Sequence, residues 1–240
     1  MVGRGADITF SVVSHGQNAL VNALLEDVER FCPKRMKVIV TENIADPTPL
    51  RSGVKIVRNA VAKGFGANHN AAFGDCGTPY FCVVNPDIRL TCDPFPQLLT
   101  AFHSPTCGVV GPLVRAPSGA VEDSARRFPT VSSLLRKALT GRSGPDYPTG
   151  DGPVEVDWVA GMFMLFESSA YKAVGGFDER YFLYYEDVDI CRRLSLSGKK
   201  VLYYPDVVVV HAARRGSRSN PRLAGHHAAS LVRFLIRART

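Results

Sequence analysis

The feature that most constrains this chain is a change of period repeated along its first half. Short apolar, β-rich runs alternate with stretches whose apolar residues recur at helical spacing. Residues 8–14 (ITFSVVS) read as a strand. Residues 18–31 follow with Leu20, Ala23, Leu24, Val28 and Phe31 along one helical stripe. Residues 37–41 and 54–58 predict two more strands, 66–73 a helix and 80–85 a strand. A helix at 95–102 begins after Pro94, and 107–114 are a strand. Strands alternating with helices predict an α/β protein with a Rossmann-like, mostly parallel sheet and helices on both faces. Ligands of such sheets bind beyond the carboxyl ends of the strands, so the chemistry is expected in the loops after Ser14, Thr41, Arg58 and Val84.

The second half has a different texture. Residues 141–153 are rich in Gly, Pro and polar residues and predict a loop. Residues 156–166 read as one long apolar strand, 186–197 as a helix ended by Gly198, and 200–204 and 207–211 as strands. Residues 223–239 predict a basic amphipathic helix with Gly225 as a point of interruption.

Charge is unevenly placed. The chain has 29 Lys and Arg against 22 Asp and Glu, and seven of the Arg lie in residues 211–240 with no acid among them. A neutral globule therefore carries a basic tail, suited to anionic lipid, a phosphate-bearing substrate or nucleic acid, or simply to a solvated helix face. With 45% hydrophobic and 21% charged residues, the composition excludes a disordered chain. The longest apolar runs, 158–166 and 207–210, are far below the roughly 20 residues of a membrane span. The first residues lack the pattern of a secretory signal. Six Cys without CxxC spacing argue against structural zinc and for buried free thiols in a reducing cytosol.

Several clusters carry possible chemistry. In Val83-Val84-Asn85-Pro86-Asp87, Pro86 ends the strand, so Asp87 projects from its carboxyl end. A carboxylate there can hold a hard divalent cation shared with a diphosphate; the alternative is a plain Asx turn. Lys63-Gly64-Phe65-Gly66 opens a helix in a way that suits an anion near backbone N–H groups, or simply starts a helix. A dinucleotide fingerprint would need a third Gly where His69 stands. Gly175-Gly176-Phe177-Asp178-Glu179 leads into Tyr184-Tyr185-Glu186-Asp187-Val188-Asp189. Acids at a helix start complement its dipole, and Asp189 can pair with Arg192 or Arg193. Two aromatics before two carboxylates also make a half-buried acidic site with the raised pKa of a general base. His211 ends an apolar strand, and His226 and His227 read as surface residues.

Taken in order, SVVSH, TEN, KGFGANHN, VVNPD, WVAG, GGFDERYFLYYEDVDICRR and VVVVH resemble the family 2 nucleotide-sugar glycosyltransferases, most closely their bacterial rhamnosyltransferase branch. The resemblance covers residues 7 to about 235 and is most specific over 175–193. It implies a GT-A fold with a smaller acceptor-side region, and inverting transfer of a sugar from a nucleoside diphosphate. It divides the chain into a nucleotide-sugar-binding half (1–115), an acceptor-binding and catalytic half (116–222) and the basic helix (223–240). It makes Asp187 the catalytic base and Glu186 its acidic neighbour. It places Ser14, Glu42, Lys63, Gly64, Asn85 and Asp87 at the nucleotide sugar, and Trp158 and Gly161 near sugar and acceptor. Asp87 and His211 become ligands of Mg²⁺ or Mn²⁺. His15-Gly16 replaces a common Tyr-Asn pair, Glu42 the usual Asp, Lys63 the usual Asn, and Ala212 a frequent second His.

The implied donor is a dTDP- or UDP-sugar, with dTDP-rhamnose the first candidate. The implied acceptor is a saccharide or polyprenyl-diphosphate-linked saccharide in cell-surface polysaccharide synthesis. The protein is then expected to be cytoplasmic, with peripheral contact to anionic membrane through Arg218, Arg222, Arg233, Arg237 and Arg239, no nucleic-acid partner, and room for an oligomer. A sugar-phosphate nucleotidyltransferase would need a Gly-rich, Arg-bearing signature after the first strand, where this chain has SHGQN. A non-catalytic nucleic-acid binder would explain the tail but not the GGFDE and YYEDVD clusters.

Overall fold

The computed structural model describes residues 8–32, 36–141, 145–150, 152–212 and 221–237. Arg214, Arg215, Arg218 and Arg239 of the basic tail, and the side chain of Arg222, lie outside the described residues.

The first half folds as its periods predict. Strands β1 (Ile8–His15), β2 (Met36–Ile44), β3 (Lys55–Arg58) and β4 (Tyr80–Val84) lie parallel in the order β3-β2-β1-β4. Helix α1 (Asn18–Phe31) buries Val21, Leu24, Leu25 and Val28, a stripe spaced to face β1. Helix α2 (Phe65–Phe73) covers the opposite face. Alternation along the strands divides the side chains between two cores. Cys82 and Val84 of β4 join Phe10, Val12 and α1, whereas Phe81 and Val83 join the core on the other face.

Beyond β4 the sheet becomes mixed. After a short β5 (Ile88–Arg89), the helix expected over 95–102 is a four-residue α3 (Phe95–Leu98) followed by a 3₁₀ turn over Leu99–His103. Next come β6 (Cys107–Arg115), β7 (Ala125–Arg126) and an unforeseen helix, α4 (Val131–Thr140). The single strand expected over 156–166 is instead three pieces of chain. After β8 (Val154–Glu155) come β9 (Trp158–Val159), a turn at 160–162 and β10 (Phe163–Glu167). β9 pairs with β7 outside the main sheet, while β10 enters that sheet antiparallel between β4 and β6. An unbroken apolar run marks burial and cannot mark the point where a chain changes sheet.

Helix α5 (Ser168–Ala173) and helix α6 (Glu186–Leu196) pack on the α2 face. The two strands expected at 200–204 and 207–211 are one, β11 (Lys200–His211), parallel to β6 with a register shift between Tyr204 and Val208. β11 also pairs antiparallel with β5 and β8. Helix α7 (Pro221–Arg237) is continuous through Gly225.

Candidate active site

The site gathers along the carboxyl ends of β1, β2 and β4. At β1, the Ser14 hydroxyl donates to Asn18 Oδ1 (2.6 Å), and Asn18 Nδ2 donates to Glu42 Oε1 (2.8 Å). Arg58 Nε meets the other Glu42 oxygen at 2.7 Å. Glu42 is thus a buried acceptor held from both sides, and Asn18 is a site residue that the motifs did not reveal. Its place on the first turn of α1 was the available signal. Beside it, Asn43 Oδ1 accepts the Lys63 backbone N–H (2.7 Å) and an Asn59 amide N–H (2.8 Å). Asn59 also donates to Asn68 Oδ1 (2.6 Å), so an asparagine network fixes the loop that carries the exposed Lys63.

Gly64 has a packing role. A Cβ there would lie 2.7 Å from the Phe182 carbonyl oxygen, which accepts the Phe65 N–H at 2.9 Å. A side chain at position 64 would thus collide with the backbone of residue 182, and the Phe65 N–H is already taken by that carbonyl.

The short pairing of β5 with β11 brings Asp87 to His211. His211 Nε2 lies 3.2 Å from Asp87 Oδ2, and His211 Nδ1 lies 2.6 Å from Glu122 Oε2. Burial disfavours the charged ring, but hydrogen bonds to Asp87 and Glu122 outweigh it and hold the imidazole pKa up at about 9. Asp87 Oδ1 is buried with no hydrogen-bond partner among the described residues. This donor set fits a divalent cation. One carboxylate oxygen is already unpaired, and an imidazole is oriented by a second carboxylate, the arrangement that supports metal-binding histidines. Asp87 and His211 would supply two donors to such an ion, and His211 would have to release its proton to ligate. Among the described residues no group of three or more His, Cys, Asp or Glu forms a complete cation site, so ligand oxygens must finish the shell. Glu122 lies 89 residues from His211, and nothing in the sequence announced it.

The carboxylate pair stands at the start of α6. Asp187 Oδ2 accepts the Gly161 N–H and Asp187 Oδ1 accepts the Val188 N–H, each at 2.9 Å. Burial raises the Asp187 pKa against the lowering effect of those N–H groups. Glu186 is buried, with Oε2 unpartnered; burial first, then the adjacent Asp187 charge, push its carboxyl well above the ordinary range. The preceding Tyr184 and Tyr185 both have φ +69°, a left-handed conformation that costs a bulky residue about 1–3 kcal/mol.

The GGFDE stretch is the scaffold of that strained turn. Gly176, at φ +68°, passes so close to Asn70 that a Cβ would overlap the amide, and Asn70 holds the Phe177 backbone from both sides. Asp189 pairs with Arg193 at 2.7 Å.

Helix α7 closes the other side. Phe234 is buried against Phe128 and Tyr185, and Ser230 Oγ donates to the Leu183 carbonyl (3.0 Å). Arg233 bonds to the Arg180 carbonyl, and Arg237 pairs with Asp178. Of the two histidines expected at the surface, His227 is exposed and His226 half-buried, and both rings meet the aromatic residues of this turn. His226 stacks on Phe182, and the His227 ring lies 5.4 and 5.2 Å from Tyr184 and Tyr185.

The residues at 160–162 join the two chemical centres. The Met162 carbonyl accepts the Asn85 N–H (3.0 Å), and Gly161 N–H holds Asp187. Asp187, Glu186 and Trp158 line one cavity of about 700 Å³, which Tyr185, His227 and residues of α4 enclose.

Residues 2–224 match the model of the glycosyltransferase-like family 2. The chain belongs to this family. Its sheet and flanking helices are the GT-A fold. The structure of GalNAc-T7 with UDP, GalNAc and Mn²⁺ matches at TM-score 0.68 and 14% identity, covering 90% of this chain and 45% of that one. Two curated family relatives are rhamnosyltransferases. The N-acetylglucosaminyl-diphospho-decaprenol L-rhamnosyltransferase of Mycobacterium tuberculosis (strain CDC 1551 / Oshkosh) is 36% identical over 66% of this chain and 57% of its own. The rhamnosyltransferase WbbL of Escherichia coli (strain K12) is 32% identical over 95% of this chain and 92% of its own. The chain therefore spans little more than half the length of the mycobacterial relative. No helix among the described residues is long and apolar enough to cross a membrane.

Proposed function

We propose that this family 2 protein is an inverting, metal-dependent glycosyltransferase. It moves a sugar from a dTDP- or UDP-sugar, with dTDP-L-rhamnose the first candidate, to a saccharide or polyprenyl-diphosphate-linked saccharide in cell-surface polysaccharide synthesis. One observation carries the reading. Residues 160–162 bind the Asn85–Asp87 corner through Met162 and the Asp187 carboxylate through Gly161, so a donor end and a base share one rigid turn. The rhamnose and lipid-diphosphate assignments rest on what the two relatives are named for.

Ser14, Asn18 and Glu42 form the polar floor for the nucleobase, with Glu42 accepting its N3–H. Lys63 reaches the diphosphate from its exposed loop, and Asn85 the ribose. Asp87 and His211 would hold Mg²⁺ or Mn²⁺, a reading supported by the presence of Mn²⁺ in a structural relative of the same fold. Such an ion neutralises the charge that develops on the leaving diphosphate. Asp187 takes the proton from the acceptor hydroxyl as oxygen attacks the anomeric carbon from the opposite side, which inverts that carbon. A positioned base of this kind contributes about 10²–10⁴-fold. Burial first, then the adjacent Asp187 charge, push the Glu186 carboxyl well above its ordinary range, which favours Asp187 as the member of the pair that ionises first. Trp158 forms a wall for the acceptor sugar.

The deciding experiment is a thermal-shift titration with dTDP-, UDP- and GDP-sugars, with and without Mn²⁺. Ligand at about a hundred times its Kd adds roughly 2.7 kcal/mol, which is several degrees for a chain of this size. A dTDP- or UDP-sugar should raise the melting temperature only with the metal present. The absence of any shift refutes the reading.

A further inference from the structure

The cavity that holds Asp187 has a second, oppositely charged wall. Arg126 of β7, Arg127 and Arg136 of α4 line it. Arg126 pairs with Asp123, yet its Nε is buried without a hydrogen-bond partner. The Arg127 guanidinium lies 5.6 Å above the Tyr147 ring, while its carbonyl takes the Trp158 indole N–H at 3.0 Å. Asp146, also in the lining, accepts the Arg127 backbone N–H at 3.1 Å. Among the described residues neither Arg127 nor Arg136 forms a side-chain ion pair, and Arg136 is exposed on α4. Guanidinium groups facing one cavity, one of them with a buried unsatisfied N–H, are matched by a phosphate, which accepts forked N–H pairs.

Glu186, whose Oε2 is buried without a partner among the described residues, lines the same cavity. Sugar-like hydroxyl groups suit that end and an anion suits the other. Arg233 and Arg237 of α7, credited by the sequence with meeting an anionic partner, already bind Arg180 and Asp178.

We propose that Arg126, Arg127 and Arg136 form the subsite for the phosphate or diphosphate ester of the acceptor. The acceptor is then held as an anion at one wall while its hydroxyl meets Asp187. This deepens the sugar-transfer reading and rests on it for the acceptor's identity, while the anion site itself is tested separately.

The probe is farnesyl diphosphate, with farnesol as the uncharged control, titrated calorimetrically into the full chain in EDTA so that the donor's metal corner contributes nothing. Wild-type protein should bind farnesyl diphosphate and not farnesol. Arg127→Ala with Arg136→Ala should weaken binding at least tenfold, since charge-assisted phosphate contacts are the strong class. Arg136→Ala, on an exposed helical position, should weaken it severalfold and keeps the test readable if the double variant misfolds. Equal affinity in wild type and Arg136→Ala, or no wild-type binding, overturns the proposal. So does loss confined to phosphatidylglycerol vesicles, which would assign the arginines to a lipid headgroup. If the wild type binds no nucleotide sugar while the arginine variants still lose farnesyl diphosphate, the transferase reading fails and the anion subsite stands.

Discussion

Replacing Asp187 by Asn tests the base and the turn that holds it in one variant. The amide cannot take a proton, so turnover should fall by about 10²–10⁴-fold. The substitution is not structurally silent. Each Asp187 oxygen accepts a different backbone N–H, from Gly161 and from Val188. An asparagine has one acceptor oxygen, so its NH₂ must face one of those N–H groups. Leaving a buried donor unmatched costs about 1–3 kcal/mol. At roughly 2–4 °C per kcal/mol for a chain of this length, the melting temperature should drop by about 2–12 °C.

Donor affinity should change little, because the lost interaction belongs to the transition state. Gly161 adjoins Met162, which holds Asn85, so a large rise in donor Kd would show that the turn had moved. The assay combines nucleotide release for kcat, titration calorimetry for the donor and scanning calorimetry for stability. Near-normal turnover in Asp187→Asn refutes the assignment. If Glu186→Gln is the dead variant instead, the two carboxylates exchange roles.

Four further variants are expected to behave as the same geometry dictates. Glu186 has a folded pKa well above its ordinary 4.5, so its contribution to stability is full below that value and is lost as pH rises through the folded pKa. Glu186→Gln should flatten the decline in melting temperature above pH 4.5, and an unchanged slope would place the burden on another group. Asp87→Ala should abolish metal-dependent nucleotide binding with the fold intact, and Glu122→Gln should weaken Mn²⁺ affinity by about 10–100-fold through the His211 ring it orients; calorimetry with Mn²⁺ and nucleoside diphosphate reads both. Phe234→Ala should cost about 3–5 kcal/mol if α7 stays docked, and should reduce kcat as the Tyr184–Tyr185 turn loosens. Unchanged melting and turnover would mean that α7 is not what holds the turn.

What the sequence determined by itself is local or ordered along the chain. Residues 8–31 show a strand and then a helix because alternation and the 3.6-residue stripe are properties of neighbouring residues. The YYEDVD cluster was legible because its aromatics and acids are contiguous. Its neighbour GGFDE was legible as a motif but not as a scaffold, since the partner that requires Gly176 is Asn70.

The tertiary structure decided everything that joins distant segments. Residues 158–166 carry no polar side chain apart from the Trp158 indole, so no periodicity marks the turn at 160–162 where the chain leaves β9 and enters the main sheet as β10. Yet that turn connects Asp87's corner to Asp187. Glu122 reaches His211 only because β11 lies beside both β5 and β6. The basic helix was legible as amphipathic, but only the fold shows that Phe234 and Ser230 dock it against the Leu183–Tyr185 turn. Burial energy depends on which surfaces meet, and a linear pattern specifies which residues seek burial without specifying against what.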